Sequence, residues 1–434
     1  MEQPKSLLLG RLPGTHDENG RDDIMSRKCL LVFSMSLVLI MAVSSCTPAA
    51  PTPSPSGTVA KPIVIGVPAI QTGSDTYIHG ELVVDATNFA AEEINAKGGV
   101  LGRPLKILVM DDAGDPKQGV TVAHAFCTNP AVVAVLGHAY SGVTLAALPV
   151  YKEANMPIIV HGTNPLVTEL GYDNVVQNTP NDLITGYAAA DYANDTLKLK
   201  TVAIVHNKSM WGAGVASVFK SRCEALGIKV TSYQGVDPTD VDFTPVLTTI
   251  KNEKPEALYF AGYTEQGLIR KQMVQLGMDQ TMHWLAAEAT SSEYIDIVKE
   301  KGIGTLSATA APPLDFRDEM KAFDQRFYAK YQKHPESWSA YYYDMVYAIA
   351  DAITKANSDK REDIVKALKK IDVPSVIYPE GLQFDDHGRV SHPVTFVYEL
   401  GSDLVYKTVS VWKGDPPYKT MSADEYQKVI DTLK

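Results

Sequence analysis

Ser141 lies between small residues in the stretch "LGHAYSGVTLAALP", Leu136 to Pro149, with His138 three positions upstream. The apolar run "AVVAVLG" leads into it and a helical pattern leads out. A strand, a tight turn, a serine and a helix is how some hydrolases present a nucleophile. The flanks argue against that chemistry: they read Ala139-Tyr140-Ser141-Gly142-Val143 rather than G-x-S-x-G, and no Asp/His pair follows in the order required. A serine at such a turn has a second use. Its hydroxyl, with the unpaired N–H groups and positive dipole end of the next helix, makes a site for a carboxylate.

Other groups invite chemistry and are read more plainly. His79, His138 and His161 each follow an apolar run, and converging imidazoles bind metals. Their separate loops carry no local ligand spacing, so no metal is assigned and His138 is read as part of its turn. "DDAGDP", Asp111 to Pro116, contains three carboxylates and resembles a cation loop; it is read as a helix cap with solvated acids. Cys127 and Cys223 stand in no C-x-x-C or Cys/His spacing and are read as buried free thiols on helices. No cofactor is implied.

The elements that position these residues alternate from Lys61 onward. "PIVIGVPA", "LKILVMDDA", "AVVAVLG" and "PIIVHG" read as strands, separated by segments with helical spacing. Short continuous apolar strands between helices indicate a parallel sheet covered on both faces. The rhythm restarts after "QNTPNDL", Gln177 to Leu183, with strands "TVAIVHN", "IKVTSYQG", "EALYFAGY" and "MHWLAAE". Helices are expected at Asp315–Gln332, Ala340–Lys355 and Arg361–Lys370, then β-rich "GLQFD", "VTFVYEL" and "LVYKTVSVWK", then a terminal helix from about Ser422. The fold class is therefore α/β, with two mostly parallel sheets in series. In open sheets of this kind ligands bind at the carboxyl ends of the strands. The turns there are "QTGSDTYIHGE", "DDAGDP", "GHAYSG" and "VHGTNP" in one half, and "HNKSMWGAG", "AGYTEQ" and "AAEATSS" in the other. They can face each other across a cleft.

The chain has 434 residues, more than one ordinary domain needs, and a formal net charge of -11 with Lys and Arg scattered. That excludes a basic face for nucleic acid. "MSRKCLLVFSMSLVLIMAVSSC", Met25 to Cys46, has the charged start, apolar stretch and small residues of a secretory signal. Residues 1–24 suit no signal, and Met25 is read as the true start. Val43-Ser44-Ser45-Cys46 resembles a bacterial lipobox, in which Cys46 is lipidated and becomes the mature first residue. "TPAAPTPSPSG" then reads as an extended tether. Residues 1–45 are thus leader and signal, and 46–60 the lipidated cysteine and tether.

Five stretches carry a resemblance: "HGELVVDATNFAAEEINAKGGVLGRPLKILVMDDAGDPKQGV", "VVAVLGHAYSGVTLAALPVYKEANMPIIVHGTNP", "VAIVHNKSMWGAGVASVFK", "ALYFAGYTEQGLIRKQMVQLG" and "GLQFDDHGRV". Together they resemble the type I periplasmic binding proteins, in particular the leucine/isoleucine/valine-binding branch that serves ABC importers, over roughly Lys61 to Trp412. The resemblance implies two α/β lobes joined by three crossovers, with helices on both faces of each sheet. Lobe 1 would comprise 61–179 plus 311–376, and lobe 2 would comprise 180–310 plus 377–434. The crossovers would fall near Thr179–Asn181, Ala308–Pro312 and Val376–Gly381.

The resemblance also implies roles. Ser141 matches the serine that holds an amino acid's α-carboxylate, and Thr163 a second contact to carboxylate and ammonium. His161 falls where a main-chain carbonyl meets the ammonium, Tyr263 and Glu288 match its partners in lobe 2, and Trp211 an aromatic that covers the ligand. This sequence departs from the family's pattern at His79, where many relatives have tyrosine, and at His161, where a small residue is common. Gly114 and Tyr140 stand where some relatives form a disulfide. With His79, His161 and Tyr140 beside the cleft, the side-chain pocket is unusual. The implied protein is an outward-facing lipoprotein, not an enzyme, that captures a branched-chain or other apolar amino acid for an ABC permease. An aromatic carboxylate or amide as ligand, or a ligand-sensing receptor subunit, stay open as alternatives.

Overall fold

The computed structural model describes residues 60–73, 76–263, 265–286 and 292–413. Cys46 and the signal stretch, Glu288, and the terminal helix expected from Ser422 lie outside them.

The first sheet is all parallel, in the order β2-β1-β3-β4-β5. Its strands are β1 (Ile63–Ala69), β2 (Leu105–Asp111), β3 (Val132–Leu136), β4 (Ile158–Val160) and β5 (Val175–Gln177). The continuous apolar runs follow from burial on both faces. Alternate residues of β1 serve different cores: Ile63, Ile65 and Val67 pack in one cluster, Val64 in another. On the Val64 side lie α2 (Pro116–Thr128) and α3 (Ser141–Glu153), and the short α4 (Leu166–Glu169) also packs there. On the other side lies α1 (Leu82–Ala96), entered through a π-helical turn at Tyr77–Glu81.

The chain then crosses to the second lobe. There α5 (Asp182–Asp195), capped by Asn181, leads to β6 (Thr201–His206), α6 (Met210–Ala225), β7 (Lys229–Gly235) and α7 (Thr244–Glu253). Next come β8 (Ala257–Ala261), α8 (Gln266–Gln275), β9 (Met282–Leu285), α9 (Ser292–Val298) and β10 (Leu306–Thr309). In β6 the same alternation holds. Val202 and Ile204 face α5 and α6, whereas Ala203 and Val205 face α7 to α9.

A second passage delivers α10 (Asp318–Tyr331), α11 (Ser337–Ala356) and α12 (Arg361–Leu368) back to the first sheet, on the face that Ile63 and Ile65 present. A third returns β11 (Val394–Leu400) and β12 (Tyr406–Lys413), which pair antiparallel at the edge of the second sheet. Its full order is β12-β11-β10-β9-β8-β6-β7. The architecture is two α/β lobes joined by three crossovers.

Four sequence expectations need correction. "GLQFD" forms no ladder strand; this stretch makes isolated bridges, Val373 with Leu382 and Phe384 with Val390. The turn that follows it touches the first sheet at one point, a parallel bridge of Arg389 with Gln177 at the end of β5, before the chain leaves for the second. Helix α11 starts at Ser337, before the expected Ala340, and α5 starts at Asp182, inside the stretch read as a break. Cys223 is buried, its thiol pushed up to about 12 by burial, but Cys127 is only half-buried. Among the described residues no helix is long and apolar enough to cross a membrane.

Candidate functional site

The turns at the strand ends meet in a cleft. His79, Ala139, Tyr140, Ser141, His161 and Thr163 line it from the first lobe, Asp182, Thr185, Trp211 and Tyr263 from the second. Ala286, Thr309 and Ala310, at the ends of β9 and β10, and Trp338 of α11 complete the wall.

Ser141 is the first residue of α3 and almost fully buried. The first N–H groups of a helix have no partner within it, so these amides and the Ser141 hydroxyl are donors available at the cavity wall. The exit of β4 runs hard against that turn. A Cβ at Gly162 would lie 2.9 Å from Thr144 Oγ1 and 3.2 Å from Ser141 Cα, so only glycine fits between His161 and Thr163. The Thr163 carbonyl accepts from the Asp182 N–H at 2.9 Å, tying the first lobe's turn to the start of α5.

Histidines divide by role. His138 is buried away from the cavity wall, with Nδ1 2.6 Å from Asp112 Oδ2 and Nε2 3.0 Å from the Tyr151 hydroxyl. Asp112 is therefore a buried partner, not the solvated acid expected; Asp115 of the same loop does cap α2, accepting from the N–H groups of Lys117 and Gln118. His161 and His79 both line the cavity, ring centroids 5.8 Å apart. The His161 ring stacks on Tyr342 at 4.8 Å and meets Trp338 edge-on at 5.1 Å. Burial, with His79 beside it, holds His161 well below the usual imidazole range, so it is neutral at pH 7. Its main-chain carbonyl, expected at the ammonium, accepts from Thr179 Oγ1 at 3.0 Å. Among the described residues no group of three or more His, Cys, Asp or Glu is placed to hold a metal.

Sequence reasoning missed Asp182, Thr185, Thr309, Ala310 and Trp338. Asp182 matters most: among the described lining residues it is the one carboxylate, and no Lys or Arg joins it. Its Oδ1 accepts from Trp211 Nε1 at 3.1 Å, and its Oδ2 has no hydrogen-bond partner. Burial pushes its pKa up to about 7, against the pull of side-chain hydrogen bonds from Thr163 and Trp211. The available signal was Asn181 before an acid, the pattern of a helix start at a lobe crossing.

Aromatic rings close the mouth. Tyr263 lies between Trp211, at 5.1 Å and 23°, and Tyr140, at 5.0 Å and 14°. The loop carrying Tyr263 is held by buried Glu265, which accepts from the Tyr263 N–H and from Asn207 Nδ2. Of the residues expected at the site, Ser141, Thr163, His161, His79, Tyr140, Trp211 and Tyr263 all line one cavity; Glu288 lies outside the described residues.

Known proteins resemble this chain in sequence and fold. The profile of the family described as periplasmic binding protein matches residues 62–401. A Brucella abortus protein named Leu/Ile/Val-binding protein homolog 1 is 29% identical over 355 residues, covering 80% of this chain and 93% of that protein. A Pseudomonas aeruginosa amino acid binding protein is 31% identical over 347 residues, covering 78% of this chain and 90% of that protein. The crystal structure of the leucine binding protein LivK from Thermotoga maritima superposes with a TM-score of 0.74 at 26% identity, covering 80% of this chain and 98% of that one.

Proposed function

Because this chain belongs to the periplasmic binding protein family, we propose that it captures a small amino acid, of the branched-chain or another apolar type, and hands it to an ABC permease. The observation that carries this reading is the charge pattern of the cleft. Ser141 and the start of α3 offer donors to a carboxylate, while Asp182 offers an unpartnered carboxylate oxygen to a cation. A zwitterion satisfies both ends, whereas a plain aromatic acid leaves Asp182 without a counter-charge. Without an ammonium, burial keeps Asp182 largely in its neutral form and the cleft gains no charge pairing from it.

In this reading the ammonium draws Asp182 into its ionised form, Thr163 and the His161 carbonyl stand beside it, and Trp211 and Tyr263 cover the ligand. The names of the relatives, Leu/Ile/Val-binding and amino acid binding, support the ligand class. The cleft performs no bond chemistry. As a periplasmic binding protein it works outside the cytoplasmic membrane, and we infer that Cys46 carries the lipid that keeps it there.

A thermal-shift panel of the common amino acids and of aromatic acids such as benzoate tests the function. A ligand at a hundred times its Kd stabilises by about 2.7 kcal/mol, so a true ligand is unmistakable. Branched-chain amino acids are expected to raise Tm; a response confined to aromatic acids would reject the proposal.

A further inference from the structure

All three passages between the lobes are tied to one stretch of α11 or to its immediate neighbours. On the first, Asn178 Nδ2 donates to the Tyr341 carbonyl at 3.0 Å, and the Asn178 carbonyl accepts from the Tyr378 hydroxyl at 2.6 Å. On the second, the Ala310 carbonyl accepts from the Tyr341 hydroxyl at 2.7 Å, and the Ala311 carbonyl from the Tyr398 hydroxyl at 2.8 Å. On the third, Asp344 accepts from the Ser375 hydroxyl and from the Val376 N–H, and Ser375 Oγ in turn accepts from the N–H groups of Ile377 and Tyr378. Every one of these residues is buried.

The same helix forms the floor of the cavity. Trp338, Tyr341 and Tyr342 share one face by their i, i+3, i+4 spacing. Trp338 lines the cavity and Tyr342 carries the His161 ring. The Tyr341 ring meets His161 edge-on at 5.8 Å and lies 5.7 Å from Trp338. Tyr341 thus touches both systems: its ring supports the floor, and its hydroxyl holds Ala310, a lining residue just past β10 on the second passage.

We propose that Tyr341 is a positioning residue that couples occupancy of the cavity to closure of the lobes. This rests on the reading of the cavity as the ligand site. A ligand side chain seated on His161 and Trp338 bears on the ring whose hydroxyl sets how the second passage leaves β10. Phenylalanine fills the same volume but leaves the buried Ala310 carbonyl without its donor, which loosens that passage relative to the floor.

The test compares Tyr341→Phe with Tyr294→Phe. The Tyr294 hydroxyl is hydrogen-bonded to Thr305 Oγ1 at 2.8 Å and to His283 Nδ1 at 3.1 Å, in the second lobe and away from the cavity wall, so both variants lose a buried hydroxyl. Small-angle scattering with and without saturating L-leucine reads closure, and calorimetry reads affinity. Wild type and Tyr294→Phe are expected to compact fully with leucine. Tyr341→Phe is expected to compact incompletely at saturation, with Kd raised roughly fivefold or more, the scale of one lost buried hydrogen bond. If Tyr341→Phe closes as fully as wild type, the inference is overturned while the ligand reading stands. If wild type neither binds nor compacts with leucine, both fall. Should Tyr341→Phe not fold, Trp338→Ala reads the coupling from the cavity side: incomplete compaction supports it and full compaction overturns it.

Discussion

Tyr140 and Tyr263 lie face to face across the cleft, ring centroids 5.0 Å apart and planes within 14° of each other. One ring follows β3 in the first lobe and the other follows β8 in the second, so the pair exists only when the lobes are together. Trp211 extends the stack on one side and His79 sets its edge against Tyr140 on the other. An aromatic pair contributes about 0.5–1.5 kcal/mol beyond its buried area. The position of Tyr140 thus serves a contact between the lobes.

Tyr140→Ala is expected to weaken ligand binding by about 2- to 12-fold, the range that pair energy implies. The loss should fall on the dissociation rate, because the stack forms after the ligand has entered. Stopped-flow tryptophan fluorescence separates the two rates; an unchanged dissociation rate would show that the stack does not hold the closed state.

Gly114 should report on the same contact from a distance. Its φ is +64°, and a Cβ there would lie 3.0 Å from Tyr140 Cε2. Gly114→Ala is therefore expected to displace the Tyr140 ring and reproduce most of the Tyr140→Ala loss. In the double variant the losses should not add, whereas independent sites would add within about 0.5 kcal/mol.

Asp182 makes binding depend on pH. Its carboxyl titrates at about 7 in the empty cavity, and an ammonium ligand needs it ionised. Affinity should be flat above that value and fall about tenfold per pH unit below it, as each bound ligand must expel a proton. The empty protein carries the opposite sign. A carboxyl raised from 3.8 to about 7 favours the fold below pH 4 and loses that contribution as pH rises through 7. Asp182→Asn should thus be more stable than wild type at pH 8 without ligand, yet bind poorly at every pH. Calorimetry and melting curves across pH 5 to 8 check both signs; an Asp182→Asn protein that keeps its affinity would remove Asp182 from the site.

Ser141→Ala should cost about 1.5–3 kcal/mol in binding, the range for a hydrogen bond to a charged group. Melting of the empty protein should hardly change. Equal affinity in wild type and variant would place the carboxylate elsewhere.

How much of this was legible in the sequence depended on whether the signal was local. The strands announce themselves because both faces of each sheet are covered, which gives "VIGVPA" and "AVVAVLG" their unbroken apolar runs. The Ser141 turn is legible for the same reason, as a polar interruption between a buried strand and a helix. Asp182 is not: it opens a helix inside a stretch that reads as a break, and its importance comes from Ser141 lying opposite, on another lobe. Trp338 precedes the apolar pattern of α11 because part of its ring faces the cavity rather than the core. Asp112 and His138 each stand at the end of a strand, and nothing in either segment says that they pair.

The connectivity has a consequence for how the chain is made. Every strand of the first sheet lies between Ile63 and Gln177, but its Ile63–Ile65 face is covered by α1 together with α11, and α11 comes only at Ser337–Ala356. A polypeptide emerging from its N-terminus therefore completes that sheet's strands, with α1 beside them, long before it can finish burying that side. Such sequence-distant contacts slow folding and leave greasy surface uncovered meanwhile.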